Sequence, residues 1–137
     1  MTTLTLIRGL PGSGKSTYAR QIAAPATQHL EADMYFVDYK DDYIFDPSRL
    51  RAAHEWCLDN TTFYLTHHFD VIVSNTFTTM KELQPYLDVA QRLGVKLEII
   101  EMRNQYGSIH GVPEEKMEIM RARWVTLPED FNVKVVQ

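Results

Sequence analysis

The 137-residue sequence has one cysteine, Cys57, so the chain cannot close a disulfide on itself, and a lone thiol suits a reducing compartment. Long apolar runs are missing. No stretch approaches the ~20 residues that span a bilayer, and the N-terminal segment lacks a signal-peptide h-region. Both absences point to a cytoplasmic protein with no membrane partner. Positive charge is in deficit: 14 Lys and Arg against 18 Asp and Glu leave a net charge of −4. That balance excludes coating of duplex nucleic acid by bulk electrostatics, and still allows a nucleic-acid end in a locally positive cleft. Repeats, low-complexity tracts and linkers are absent too. The length and an ordinary hydrophobic share of 45% imply a single domain, 1–137, burying roughly two thirds of its unfolded surface.

What is present stands out early, in GLPGSGKST, residues 9–17. Gly9, Gly14, Lys15 and Ser16 match G-x-x-x-x-G-K-[ST], a turn that cradles phosphate. Glycines let successive backbone N–H groups curl around an anion with no Cβ in the way. A helix starting at the turn adds free N–H donors and the positive end of its dipole. The cradle comprises Gly9, Pro11, Gly12, Ser13, Gly14, Lys15, Ser16 and Thr17. Lys15 reaches the β- and γ-phosphate oxygens of ATP, and the Ser16 hydroxyl ligates magnesium. Context agrees, because a β-prone run (Thr3 to Ile7) enters the turn and helix formers (Ser16 to Ala24) leave it before Pro25.

Further along, five strand and four helix candidates alternate, which predicts an α/β fold with a parallel sheet of four or five strands flanked by helices. A weak second strand, Gln28 to Ala32, runs into Asp33, and a polar, aromatic loop follows from Met34 to Phe45. Asp46 caps a long helix whose first residue is Pro47 and whose amphipathic face carries Leu50, Ala53, Cys57 and Tyr64. DVIVSN (70–75) is a buried-type third strand. A helix over Lys81 to Leu93 follows, with Pro85 near its start or at a kink and Gly94 at its end. The fourth strand is Val95 to Met102. After a loop, Pro113 opens a last helix with Met117, Met120 and Trp124 on one face. The tail, Asn132 to Val136, is either a fifth strand or a frayed end.

Ligands of open parallel sheets sit at the carboxyl ends of the strands. Asp33 there is a candidate to accept the proton of an attacking hydroxyl, or else it caps a turn. Ser74 and Asn75 stand where phosphate-loop enzymes often place a magnesium-supporting aspartate; they hold magnesium-bound water or simply form a turn. Asp70 lies at the wrong end of its strand. Arg103, in the loop after the fourth strand, is the candidate lid cation for transition-state charge, and His110 braces that loop. Arg121 or Arg123 either faces the phosphates or lies on a solvated helix face. His54 and Trp56 are read as packing residues, with stacking on substrate as the alternative. His67 and His68 are adjacent, poor spacing for a shared zinc.

Taken together, LIRGLPGSGKSTYAR, EADMYF, YIFDPSRLRAAHEW, VIVSNTF and IHGVPEEKMEIMRARW resemble the kinase half of phage polynucleotide kinases and their small single-domain relatives. The resemblance covers nearly the whole chain. It implies transfer of the γ-phosphate of ATP to a hydroxyl, usually the 5′-hydroxyl of DNA or RNA. Lys15 and Ser16 would hold phosphate and magnesium, Asp33 would activate the hydroxyl, and a phage-encoded copy would work in the host cytoplasm. Three departures bear on the acceptor. Phe36 replaces an arginine that grips the acceptor strand; Asn75 and Phe77 replace an acidic and an amide residue; Gly107 and Ser108 replace basic lid residues, leaving Arg103. They keep open a modified DNA base, a nucleotide or a small metabolite as acceptor, and a non-catalytic nucleotide-binding module as a separate class.

Overall fold

A computed structural model describes residues 2–105 and 111–137. Its centre is a five-stranded, all-parallel sheet in the order β2-β3-β1-β4-β5. The strands are β1 (Thr3–Arg8), β2 (Gln28–Leu30), β3 (Val71–Asn75), β4 (Lys96–Met102) and β5 (Lys134–Val136). Helices α1 (Lys15–Ile22), α2 (Leu50–Thr66), α3 (Met80–Leu93) and α4 (Glu114–Arg123) lie between them. The tail is therefore a strand, paired with the end of β4 from Ile100↔Lys134 to Met102↔Val136.

Period-2 alternation sorts the two faces of the sheet. Leu4, Leu6, Val71, Val73 and Ile99 face one way, into a core built with Ala53 and Cys57 of α2 and Leu83, Tyr86 and Val89 of α3. Ile7, Ile72, Ile100 and Met102 face the other way, against Ala19 of α1. All five residues of β3 are buried, as its unbroken β-branched run requires of an inner strand covered on both faces.

Element ends follow local chemistry. Thr79 and Glu82 form a reciprocal capping box at the start of α3, and Gly94 closes that helix in the left-handed region with φ 64°. Pro85 sits inside α3, in its second turn. Asp46 caps as expected, accepting from Ser48 N–H at 3.0 Å, but Pro47–Arg49 wind as a 3-10 turn and the α-helix proper begins at Leu50. Leu50 is exposed, and the buried face of α2 is Ala53, Cys57, Thr61 and Leu65. The second strand is shorter than expected. It stops at Leu30, and Ala32–Phe36 coil into a 3-10 turn that carries Asp33 just beyond the sheet.

Candidate active site

Between β1 and α1 the chain makes a tight turn over the carboxyl edge of the sheet. Gly12 and Gly14 adopt φ 84° and 90°, a region costly for residues with a Cβ, and Gly14 is the N-cap of α1. No side chain caps that helix and its first turn holds no acidic residue, so its N–H groups remain available to an anion. A Cβ built on Gly9 would lie 2.4 Å from Ser13 Oγ and 3.0 Å from the Met102 carbonyl oxygen, so the loop closes on itself with no room for a side chain. Ser13 Oγ is buried there without a hydrogen-bond partner. The Lys15 ammonium donates to the Leu10 carbonyl at 3.3 Å. Burial lowers its pKa, against the pull of Glu31 and Asp33, which raise it. An orphaned hydroxyl, unpaired helix amides and a desolvated ammonium converge on one concave turn. That donor set fits a polyphosphate.

Two carboxylates on one short segment face this turn in different conditions. Glu31, between β2 and the 3-10 turn, accepts hydrogen bonds on Oε2 from the hydroxyls of Ser16 and Ser74, the latter at 2.6 Å. His29 Nε2 stands 3.1 Å from the same oxygen and 2.7 Å from Ser74 Oγ. Burial opposes ionisation of Glu31, but the hydrogen bonds from His29, Ser16 and Ser74 and the charge of His29 outweigh it and hold the carboxyl at about 2. Asp33 is exposed and accepts the Tyr43 hydroxyl at 3.3 Å. Glu31 and Asp33 thus both act electrostatically on Lys15, and Ser16 donates to Glu31. The sequence pattern gave Glu31 no signal beyond its place two residues before Asp33.

Other expected residues take different stations. Ser74 and Asn75 are the last residues of β3, not a turn. Asn75 Oδ1 accepts Ala32 N–H at 2.9 Å and so pins the segment that carries both carboxylates. Arg103 is bound to Glu101 through Nε at 2.6 Å, and Arg121 pairs with Glu114 at 2.8 Å on the solvent side of its own helix. Neither arginine hydrogen-bonds to the phosphate loop among the described residues. Arg123 donates to Thr78 Oγ1 at 3.0 Å. Phe36 is buried in a ring cluster, edge-on to Tyr35, Tyr43 and Phe45, and Phe77 packs edge-on to Tyr86. Trp56 packs against Tyr35, whereas His54 is exposed. Gly107, Ser108 and His110 lie outside the described residues.

A parallel sheet in this strand order, with a glycine turn leading from its central strand into a helix, defines a phosphate-loop kinase fold. The model of a family described as an AAA domain matches residues 4–105, and the chain belongs to this P-loop kinase family. NEDD4-binding protein 2 of Homo sapiens is 32% identical over 140 residues, an alignment that takes in 91% of this chain and 8% of that protein. Kti12 of Chaetomium thermophilum, solved with ADP-AlF3, superposes with a TM-score of 0.73 at 13% identity, covering 97% of this chain and 88% of that one. A chain of the Pnkp1/Rnl/Hen1 complex superposes with a TM-score of 0.63 at 19% identity, covering 93% and 41%. The chain therefore spans under half the length of the human relative and of the Pnkp1-complex chain. The two structural likenesses establish the fold.

Proposed function

We propose that the chain is an ATP-dependent phosphotransferase that carries the γ-phosphate to a hydroxyl, and that this hydroxyl is the 5′ end of a nucleic acid. The observation that carries the reading is the pairing of a desolvated Lys15 ammonium in the amide-lined turn with an exposed carboxylate, Asp33, close enough to act on its charge. In this reading the loop amides and Lys15 hold the β- and γ-phosphates, and the Ser16 hydroxyl holds Mg²⁺. When bound, Mg²⁺ neutralises charge on the β- and γ-oxygens. Asp33 takes the acceptor's hydroxyl proton as that oxygen bonds to the γ-phosphorus, while the bond from that phosphorus to ADP breaks. Arg103, at the root of the loop after β4, exchanges Glu101 for the developing phosphoryl charge.

Support for a nucleic-acid end comes from two cations held on aromatic residues near the segment that carries Asp33. Arg49 donates to the Tyr35 hydroxyl on the surface, and the Lys116 ammonium lies 5.9 Å from the centre of the Phe45 ring. One observation favours a small or base-borne hydroxyl instead. Phe36 is buried where the resemblance expects a strand-gripping arginine, and the adjoining loop carries Asp38, Asp41 and Asp42.

The test is phosphoryl transfer from labelled ATP with magnesium, offering 5′-hydroxyl oligonucleotides, hydroxymethylated DNA, nucleosides and a metabolite pool. Label on an oligonucleotide end is the expected result. Label elsewhere moves the acceptor, and label nowhere overturns the reading. Lys15→Ala is the inactive control. Asp33→Asn should lower kcat by about 10²- to 10⁴-fold while ATP still binds, and undiminished turnover removes Asp33 from the mechanism.

A further inference from the structure

Phosphate-loop enzymes commonly place a carboxylate at the end of the strand beside the loop. Here that position holds Ser74 and Asn75, and the Asn75 carbonyl oxygen is already engaged with Ala32 N–H. The carboxylate found in that space comes from a different strand. Glu31 reaches over from the end of β2, and Ser74 donates to it at 2.6 Å, so the strand-end hydroxyl serves Glu31 rather than the loop directly. The same Oε2 accepts a hydrogen bond from the hydroxyl of Ser16, the last residue of the phosphate-loop motif.

We infer that Glu31 is the positioning carboxylate of the divalent-cation site, standing in for the acidic residue that β3 lacks. The inference rests on the phosphotransferase reading above. A serine hydroxyl has one proton and two lone pairs, and only a lone pair can bind a cation. With its O–H directed to Glu31, Ser16 presents its lone pairs away from that carboxylate and gains basicity, as ligands do when an outer partner accepts a hydrogen bond from them. Oxygen donors from a hydroxyl and a carboxylate also match the preference of a hard cation such as Mg²⁺.

A purely structural pin is the competing account. Burying an anion is costly, and a neutral amide could accept from two hydroxyls with little desolvation penalty. The groups facing Glu31 are His29, Ser16 and Ser74, with Lys15 and Asp33 within electrostatic reach of the same turn. Placing a full negative charge on the phosphate-loop serine is what a cation site requires and what a structural pin does not.

Mn²⁺ binding to the protein–ADP complex, read by the loss of free-ion EPR signal, tests this alongside calorimetry of ADP binding in EDTA. Glu31→Gln keeps the shape and removes the charge. It should weaken Mn²⁺ about 10- to 100-fold, while metal-free ADP affinity does not fall, since one negative charge beside the phosphates is gone. Glu31→Ser combined with Ser74→Asp, which moves the carboxylate to the strand end, should recover most of that loss. Mn²⁺ affinity within twofold of the parent in Glu31→Gln overturns the inference, whatever happens to the melting temperature. Should Glu31→Gln fail to fold, the double variant decides, and its failure to bind Mn²⁺ better than Glu31→Ser alone is equally fatal. If the unaltered protein binds no ADP in EDTA, the phosphotransferase reading itself fails.

Discussion

Arg8, the residue before the phosphate loop, is fully buried, and its replacement by methionine should be among the most damaging single changes in the chain. Nε and Nη2 donate to the Phe77 carbonyl at 3.1 and 2.8 Å. Nη1 donates to the Val125 carbonyl at 2.9 Å and to Glu101 at 3.4 Å. The guanidinium carbon lies 3.8 Å from the centre of the Trp124 ring. Burial lowers the pKa of Arg8, with Glu101 and Glu82 acting to raise it. Methionine fills similar volume and satisfies none of the acceptors. The buried Phe77 carbonyl and the half-buried Val125 carbonyl left unpaired cost about 1–3 kcal/mol each, and the lost ring contact about 1–2 kcal/mol. Release from desolvating the cation offsets part of this, and Glu101 retains Arg103 at 2.6 Å. The net loss should be about 3–5 kcal/mol, a large part of the ~5–15 kcal/mol that holds a domain together. For a domain of this length that lowers Tm by roughly 10–20 °C. Urea titration and a thermal melt followed by circular dichroism measure both quantities. A loss below about 1 kcal/mol would refute the claim that this buried arginine ties β1 to Phe77, just before α3's cap, and to Val125, just after α4.

Two further outcomes follow from local geometry. Gly9→Ala places a methyl 2.4 Å from Ser13 Oγ and 3.0 Å from the Met102 carbonyl, so the loop must open. ADP affinity by calorimetry should fall at least about tenfold, with about 1–3 kcal/mol of stability lost to overpacking; unchanged affinity would mean the loop tolerates a wider curl. Burial disfavours the ionised form of Glu82, but hydrogen bonds from Thr78 and Thr79 prevail and keep its pKa below the ordinary 4.5. A carboxyl depressed on folding stabilises above its unfolded pKa and loses that contribution as pH falls through the folded value. Glu82→Gln should therefore lower the urea midpoint at pH 7, with the gap narrowing once pH is taken below the ordinary 4.5 and on through the depressed folded value. A gap that stays constant across that range would contradict the depressed value.

Elements whose signals are local were legible in the sequence. VIVSN reads as an inner strand because it opens on an unbroken β-branched run, Val71 to Val73, and it is buried throughout. GLPGSGKST reads as a phosphate turn because the glycines sit where φ must be positive, at Gly12 and Gly14. What stayed hidden depends on partners far along the chain. Arg8 follows the β-prone run Thr3 to Ile7 with no local signal, and its acceptors are 69, 93 and 117 residues away. Glu31 is matched with Ser16 and Ser74 across 15 and 43 residues, and nothing in EADMYF marks one acid as the more engaged. Leu50 fits the helical spacing of α2, but the face that packs begins a turn later at Ala53. The frayed-or-paired ambiguity of the tail was resolved only by the register of β5 on β4.

The segment 31–33 explains how one short stretch supplies two carboxylates of opposite use. Ala32 between them is buried, and its N–H is held by Asn75 Oδ1 at 2.9 Å, so the backbone cannot rotate freely at that point. With Ala32 fixed, Glu31 is directed to Ser16 and Ser74, and Asp33 reaches the Tyr43 hydroxyl at the surface. Glu31, held at about 2, binds no proton near neutral pH and acts as fixed charge. Asp33 is exposed and keeps lone pairs open to solvent, as the proposed general base would require. Asn75, which the resemblance marks as a departure from an acidic residue, accordingly makes sense as an amide. Its oxygen fixes Ala32 and its Nδ2 points to Cys57 Sγ at 3.8 Å, a donor that a carboxylate at the same position would not provide.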